Sequence, residues 1–209
     1  QYPPMSGVLP LRVSISDKLK RVYGIEADPE REITVTAGAT EALYCAITSI
    51  VRPNDEVVMF DPCYDSYDPV VSLNGGVSKH LEMQSPDFRI DWDEVSDSIS
   101  DKTRLIILNT PHNPTGTVLN SADIEALKQI VAGKNIYIIS DEVYEHIIFD
   151  KVKHESICRC PELSERSFVI SSFGKTFHAT GWKIGYCRAP SELTKEFRKI
   201  HQFVNFTVS

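Results

Sequence analysis

No apolar run in this sequence approaches the roughly 20 residues that a bilayer span needs, so no membrane-spanning segment is expected. Positive charge is in deficit. The 22 lysines and arginines face 29 acids, for a formal charge of −7. A nucleic-acid binder concentrates basic charge, and that class is set aside. Cysteine is sparse and odd in number: Cys45, Cys63, Cys158, Cys160 and Cys187, with no CxxC pair. Cys158-Arg159-Cys160 is too tightly spaced for a usual zinc pair. Neither a disulfide framework nor a zinc module is expected, and the pattern reads as reduced thiols in a cytoplasmic protein. The first residues, Gln1-Tyr2-Pro3-Pro4, have neither the basic nor the apolar region of a signal peptide. Repeats and low-complexity linkers are lacking too.

What is present is ordinary globular material. Hydrophobic residues make up 42% and charged residues 24% of 209 residues, enough for one sizeable domain or two small ones. The opening Gln in place of Met suggests a chain whose first part is not given. Apolar runs alternate with helical patterns. Leu11, Ile15, Leu19 and Val22 recur at helical spacing, with Gly24 as a stop. Strands are expected at 32–36, 56–60, 104–109, 136–140, 168–172 and 184–187. Helices are expected around 42–50, 121–132 (capped by Asn120 or Ser121) and 191–204. The strand runs are apolar throughout, as in strands covered on both faces. The expected fold is therefore α/β, with a mostly parallel central sheet and helices on both faces.

In such sheets ligands lie beyond the carboxyl ends of the strands. The first strand leads into Ala37-Gly38-Ala39-Thr40, either an anion-binding turn at a helix N-terminus or simply a tight connection. The second leads into Asp61-Pro62-Cys63-Tyr64-Asp65-Ser66-Tyr67, where an aromatic either stacks on a flat ligand or fills a loop. The third leads into Asn109-Thr110-Pro111-His112-Asn113-Pro114-Thr115-Gly116, a loop stiffened by proline. The fourth leads into Asp141-Glu142-Val143-Tyr144, and the fifth into Ser172-Phe173-Gly174-Lys175-Thr176, with Lys183 further on. A P-loop would need glycine at Val169. A zinc motif built on Glu145-His146 would need His where Glu142 stands. His80, His154 and His201 sit in no motif and are expected at the surface or at caps.

Taken together, Asn113-Pro114-x-Gly116, Asp141-Glu142-x-Tyr144 and Ser172-x-Gly174-Lys175 resemble the class I and II aminotransferases, pyridoxal-phosphate (PLP) enzymes of fold type I. The likeness runs over essentially the whole chain. The segments Asn109–Pro114 and Gly174–Lys183 bring it closest to the methionine and kynurenine–glutamine aminotransferase branch. The resemblance implies the three-layer αβα large domain of that fold, and a ping-pong transfer of an amino group from an L-amino acid (methionine, aromatic or glutamine-like) to a 2-oxo acid. It also implies a homodimer.

On this likeness Lys175 holds PLP as a Schiff base and then moves the substrate's α-proton. Asp141 pairs with the protonated ring nitrogen. Tyr144 and Asn113 reach the ring hydroxyl, Tyr64 stacks on the ring and Asn109 lines its edge. The phosphate is expected on the N–H groups of Ala39 and Thr40, on Ser172, and on Lys183, which stands where the broad family has arginine. That lysine marks the kynurenine–glutamine-like branch, though it gives a point charge and not a two-pronged contact. Tyr2 falls where the family's cofactor-contacting tyrosine reaches in from the neighbouring subunit. Phe206 and Thr207 fall where residues cross the same way. His178 stands where the broad pattern prefers a small residue. No arginine here matches the substrate-carboxylate arginine of the small domain. The chain is thus expected to be the PLP-binding large domain, 1–209, without the N-terminal segment and the C-terminal small domain. Two other readings share these residues: a PLP carbon–sulfur lyase, and a non-catalytic sensor domain of a transcription regulator.

Overall fold

A computed structural model describes residues 2–208. Seven strands form one sheet: β1 (Ile33–Thr36), β2 (Glu56–Asp61), β3 (Val77–Glu82), β4 (Thr103–Asn109), β5 (Tyr137–Asp141), β6 (Ser167–Ser172) and β7 (Gly185–Arg188). Their spatial order is β1-β7-β6-β5-β4-β2-β3. Pairings from β3 across to β6 are parallel, and only β7 runs against its neighbours. The mostly parallel sheet expected from the sequence is the one observed.

The helices are α1 (Leu9–Tyr23), α2 (Ala39–Ile50), α3 (Tyr67–Leu73), α4 (Trp92–Ser98), α5 (Ser121–Val131), α6 (Pro161–Ser164), α7 (Phe173–Thr176) and α8 (Ser191–Val204). The all-apolar strands are loaded on both faces, and alternate residues go to opposite sides. Val57, Met59, Leu105, Ile107, Ile139, Phe168 and Ile170 join α2, α3 and α8 in one core. Val58, Phe60, Ile106, Leu108, Ile138 and Val169 join α4 and α5 in the other. A third cluster seats α1 against β1 and β7.

Local signals act as their chemistry dictates. Gly24 closes α1 in the left-handed region, at φ 74°. Asn120 and Asp123 form a reciprocal capping box on α5. Two details differ from expectation. The buried stripe of α1 ends on Tyr23, since Val22 faces solvent. The edge strand β3 carries polar and exposed positions, VSKHLE, and so gives no apolar run to read.

Candidate functional site

The carboxyl ends of β4, β5 and β6, together with the N-terminus of α2, surround a cleft of about 320 Å³. Ala39, Thr40, Tyr64, Asn109, Asn113, Asp141, Tyr144, Ser172, Lys175 and Lys183 all line it. Residues spread over 145 positions of chain are therefore brought to one place by the sheet. Of the residues expected at the site, Tyr2 is not among them. Its ring packs edge-on against Phe206, 5.4 Å between centroids, in a seam where the Thr207 hydroxyl donates to the Pro3 carbonyl at 3.1 Å. His178 is exposed and also outside the cleft lining.

One end of the cleft is built for an anion. Gly38 precedes α2 with φ 81°, and no side chain caps the helix. Its first-turn N–H groups carry the positive end of the helix dipole. The Lys183 side chain lies against Gly38: a Cβ there would sit 3.3 Å from Cε and 3.4 Å from Nζ. The backing wall is Gly185, whose missing Cβ leaves room for Ala39 N and Gly38 C at 2.9 Å from where it would stand. The Ser172 Oγ accepts from Gly174 N–H at 3.1 Å, capping α7 and leaving the hydroxyl proton free to donate.

The same cleft holds a buried acid. Asp141 Oδ2 accepts from the Tyr67 hydroxyl at 2.7 Å, and Oδ1 from Val143 N–H at 3.3 Å. Burial raises the Asp141 carboxyl to about 6, against the pull of these two donors. Asn109 donates to the Asp141 carbonyl at 3.0 Å and accepts from Asn113 N–H at 2.7 Å. Its amide thus ties the β4 loop to the end of β5, a role beyond lining an edge. Lys175 Nζ stands 5.6 Å from the Tyr144 ring centroid.

Several residues that shape this site carry no signature in the sequence. Tyr67 was visible only as the last letter of the loop after β2. Glu41 accepts from Ala37 N–H at 2.6 Å, bracing the anion turn. The placement of two histidines needs correction. His201 is fully buried and bridges Glu41 and the Met5 carbonyl. His154 is buried against Glu142 at 2.8 Å. Burial works against its charged form, yet the carboxylates of Glu142 and Glu145 hold its pKa above the ordinary value. Their charged partners are distant in sequence, so no local pattern announced them. Glu145 gathers Lys18, Tyr23 and Ser171, which ties α1 to the loop carrying Tyr144. His80 is the one expected surface histidine found partly exposed.

The family model for aminotransferase class I and II matches residues 1–209. The methionine aminotransferase of Escherichia coli strain K12 is 54% identical over 209 residues, all of this chain and 54% of that protein. A probable N-succinyldiaminopimelate aminotransferase of Mycobacterium tuberculosis is 40% identical over 208 residues, 99% of this chain and 52% of the relative. The crystal structure of YbdL from Escherichia coli, described as having a methionine aminotransferase function, superposes with a TM-score of 0.98 at 55% identity. That match covers 100% of this chain and 55% of the other. The chain spans about half the length of the relatives it matches. By family model, sequence and structure alike, it belongs to the class I and II aminotransferases.

Proposed function

We propose that this chain is the PLP-binding large domain of an aminotransferase that moves an amino group from an L-amino acid to a 2-oxo acid. The observation that carries the reading is that one cleft is lined by Lys175, the buried Asp141, and the cup formed by Gly38, Ala39, Thr40 and Lys183. The donor set fits PLP: a carboxylate for the ring nitrogen, an amine for the aldehyde carbon, and helix N–H groups with an ammonium for the phosphate. When bound, PLP supplies an electron sink for charge developing at the substrate's α-carbon. The chain's own residues would do the rest. Lys175 would bond the cofactor's aldehyde carbon, and its amine, once released, would take up and return the substrate's α-proton. Asp141 would hold the ring nitrogen in its protonated form. Tyr144 and Asn113 stand ready for the ring hydroxyl, and Tyr64 for its face.

Relatives named as aminotransferases support this reading, and none of those cited supports the lyase or the sensor. Methionine is the proposed donor on the likeness to the Escherichia coli enzyme, and aromatic or glutamine-like donors are proposed on the branch resemblance of Asn109–Pro114 and Gly174–Lys183. A homodimer in the cytoplasm is proposed with them. Among the described residues, no helix is long and apolar enough to cross a membrane. A panel of amino donors and oxo acids offered to the full-length protein tests the proposal. Keto acid formed at the expense of an acceptor supports it, and thiol plus ammonia in its place would mean a lyase.

A further inference from the structure

The proposed reaction makes no use of a second cluster, just outside the cleft at the carboxyl end of β2. Asp61 ends that strand, Cys63 follows two residues later, and His80 stands on the neighbouring strand β3. One ligand-type atom from each of the three lies within 4.8 Å of the others. The His80 Nδ1 is 3.0 and 3.1 Å from the two Asp61 oxygens. Its other nitrogen, Nε2, is 3.6 Å from Asp68 Oδ1 on α3. That second carboxylate has the place of the outer partner that fixes ring orientation and tautomer when a histidine ligates a metal.

The electrostatics point the same way. Asp65 and Asp68 follow in the loop and α3, and Glu82 pairs with Asp61 in the strand register. The nearest lysine on β3, Lys79, is turned to Glu56 at 2.7 Å. His80 is therefore the basic side chain of β3 that faces Asp61 and Asp68. The donors come from the paired strands β2 and β3 and the turn after β2, which sets their spacing before any metal arrives. His80 and Asp61 are each about 40% exposed, so solvent has a path in.

We propose that Asp61, Cys63 and His80 form a binding site for a divalent transition metal of the zinc class, with Asp68 orienting the histidine. Thiolate, imidazole and carboxylate are zinc donors, and three protein ligands leave a fourth position for water. On binding, the thiol proton and any proton on the ligating nitrogen pass to solvent as the metal–sulfur and metal–nitrogen bonds form. Cys63 immediately precedes Tyr64, so the metal would also pin the loop that carries Tyr64 to the cleft.

The test uses the full-length, PLP-loaded protein, with Co²⁺ as spectroscopic probe and Zn²⁺ in equilibrium dialysis. Saturable binding of one metal per chain is expected, with a near-ultraviolet thiolate-to-cobalt band. Cys63→Ser should abolish the band and weaken Zn²⁺ at least about tenfold, and His80→Ala should do as much. Asp68→Asn should weaken it by about 10- to 100-fold, the range for a lost outer-shell partner. Thermal melts without metal serve as the folding control, since all three side chains are partly exposed. Absence of saturable binding overturns the proposal. So does a band or affinity that survives Cys63→Ser and His80→Ala, for that metal would sit on the cofactor or elsewhere.

Discussion

The Tyr67 phenol donates to Asp141 Oδ2 at 2.7 Å, joining the first residue of α3 to the last residue of β5. Both groups are buried. Apart from that hydroxyl and the Val143 N–H, no donor to the carboxylate is found among the described residues. Burial therefore wins, and the acid sits at about 6 where the ordinary value is 3.8. An acid held this way is poised for a cationic ring nitrogen, which would restore the charge balance that burial took away.

That poise sets stability and activity against each other at Asp141. Its folded pKa lies above the unfolded one, so ionisation opposes folding. The cofactor-free protein is fully stabilised with respect to this group below pH about 4. It loses stability as pH rises through about 6, and then levels off. The step from 3.8 to about 6 corresponds to about 3 kcal/mol. Asp141→Asn is expected to raise unfolding free energy by about 1–3 kcal/mol at pH 7.5, with the gain vanishing below pH 4. Loss of a charged hydrogen bond worth about 1.5–3 kcal/mol should cut kcat by about 10- to 150-fold, with KM changing less. Denaturant melts across pH and steady-state kinetics check both halves. A variant less stable at pH 7.5, or one with unchanged kcat, excludes this role.

Tyr67→Phe removes the hydroxyl and leaves the ring, so packing against Tyr64 survives. The carboxylate loses the donor that pulls its pKa down. The pH at which the cofactor-free protein begins to gain stability on acidification should move above about 6. At pH 7.5 the cost is about 1.5–3 kcal/mol, and at pH 4, with a neutral acid, about 0.5–1.5 kcal/mol. Equal losses at the two pH values would mean that the bond does not act on a charge.

Lys175 follows Gly174 in α7, whose close approach to Thr180 explains the glycine: a Cβ there would stand 3.1 Å from Thr180 Cα. Borohydride reduction of the PLP-loaded protein should fix the cofactor to the peptide containing Lys175. Lys175→Ala should lose turnover while the phosphate cup still retains some cofactor. Peptide mapping decides, and labelling at Lys183 would reassign both lysines.

The sheet was legible because strands such as Leu105–Leu108 and Ile138–Ile139 are apolar at every position, which only a doubly covered strand requires. Much of the cleft was legible because Asn109, Asn113, Asp141, Tyr144, Ser172 and Lys175 lie at or just past the ends of such strands, and a parallel sheet places those ends together, whereas Lys183, ahead of β7, was placed by resemblance alone. Strand β3 was not legible, since an edge strand needs no apolar run. The buried pairs Glu41–His201 and Glu142–His154 escaped for another reason. Their partners lie 160 and 12 residues apart, and nothing local to either residue says that a fold will close them. Tyr67 escaped likewise, because a hydroxyl in a loop has the same sequence signature whether it meets water or Asp141.

Gly185 offers the sharpest test of the anion cup. A Cβ at this position of β7 would stand 2.8 Å from the Ser171 carbonyl oxygen and 2.9 Å from both Ala39 N and Gly38 C. All three are backbone atoms, so none can swing aside as a side-chain tip would. The wall that must give is the cup itself. Gly185→Ala is therefore expected to cost about 1–3 kcal/mol of stability through overpacking and to weaken PLP binding at least about tenfold, roughly 1.4 kcal/mol. Gly181→Ala is the matching control. It lies four residues earlier, in the connection leading into β7, and a Cβ there meets nothing within 4 Å, so stability should stay within about 0.5 kcal/mol. Thermal melts and fluorescence titration with PLP on the two variants give the comparison. Wild-type PLP affinity in a folded Gly185→Ala protein would mean that the phosphate does not rest on Ala39 and Thr40.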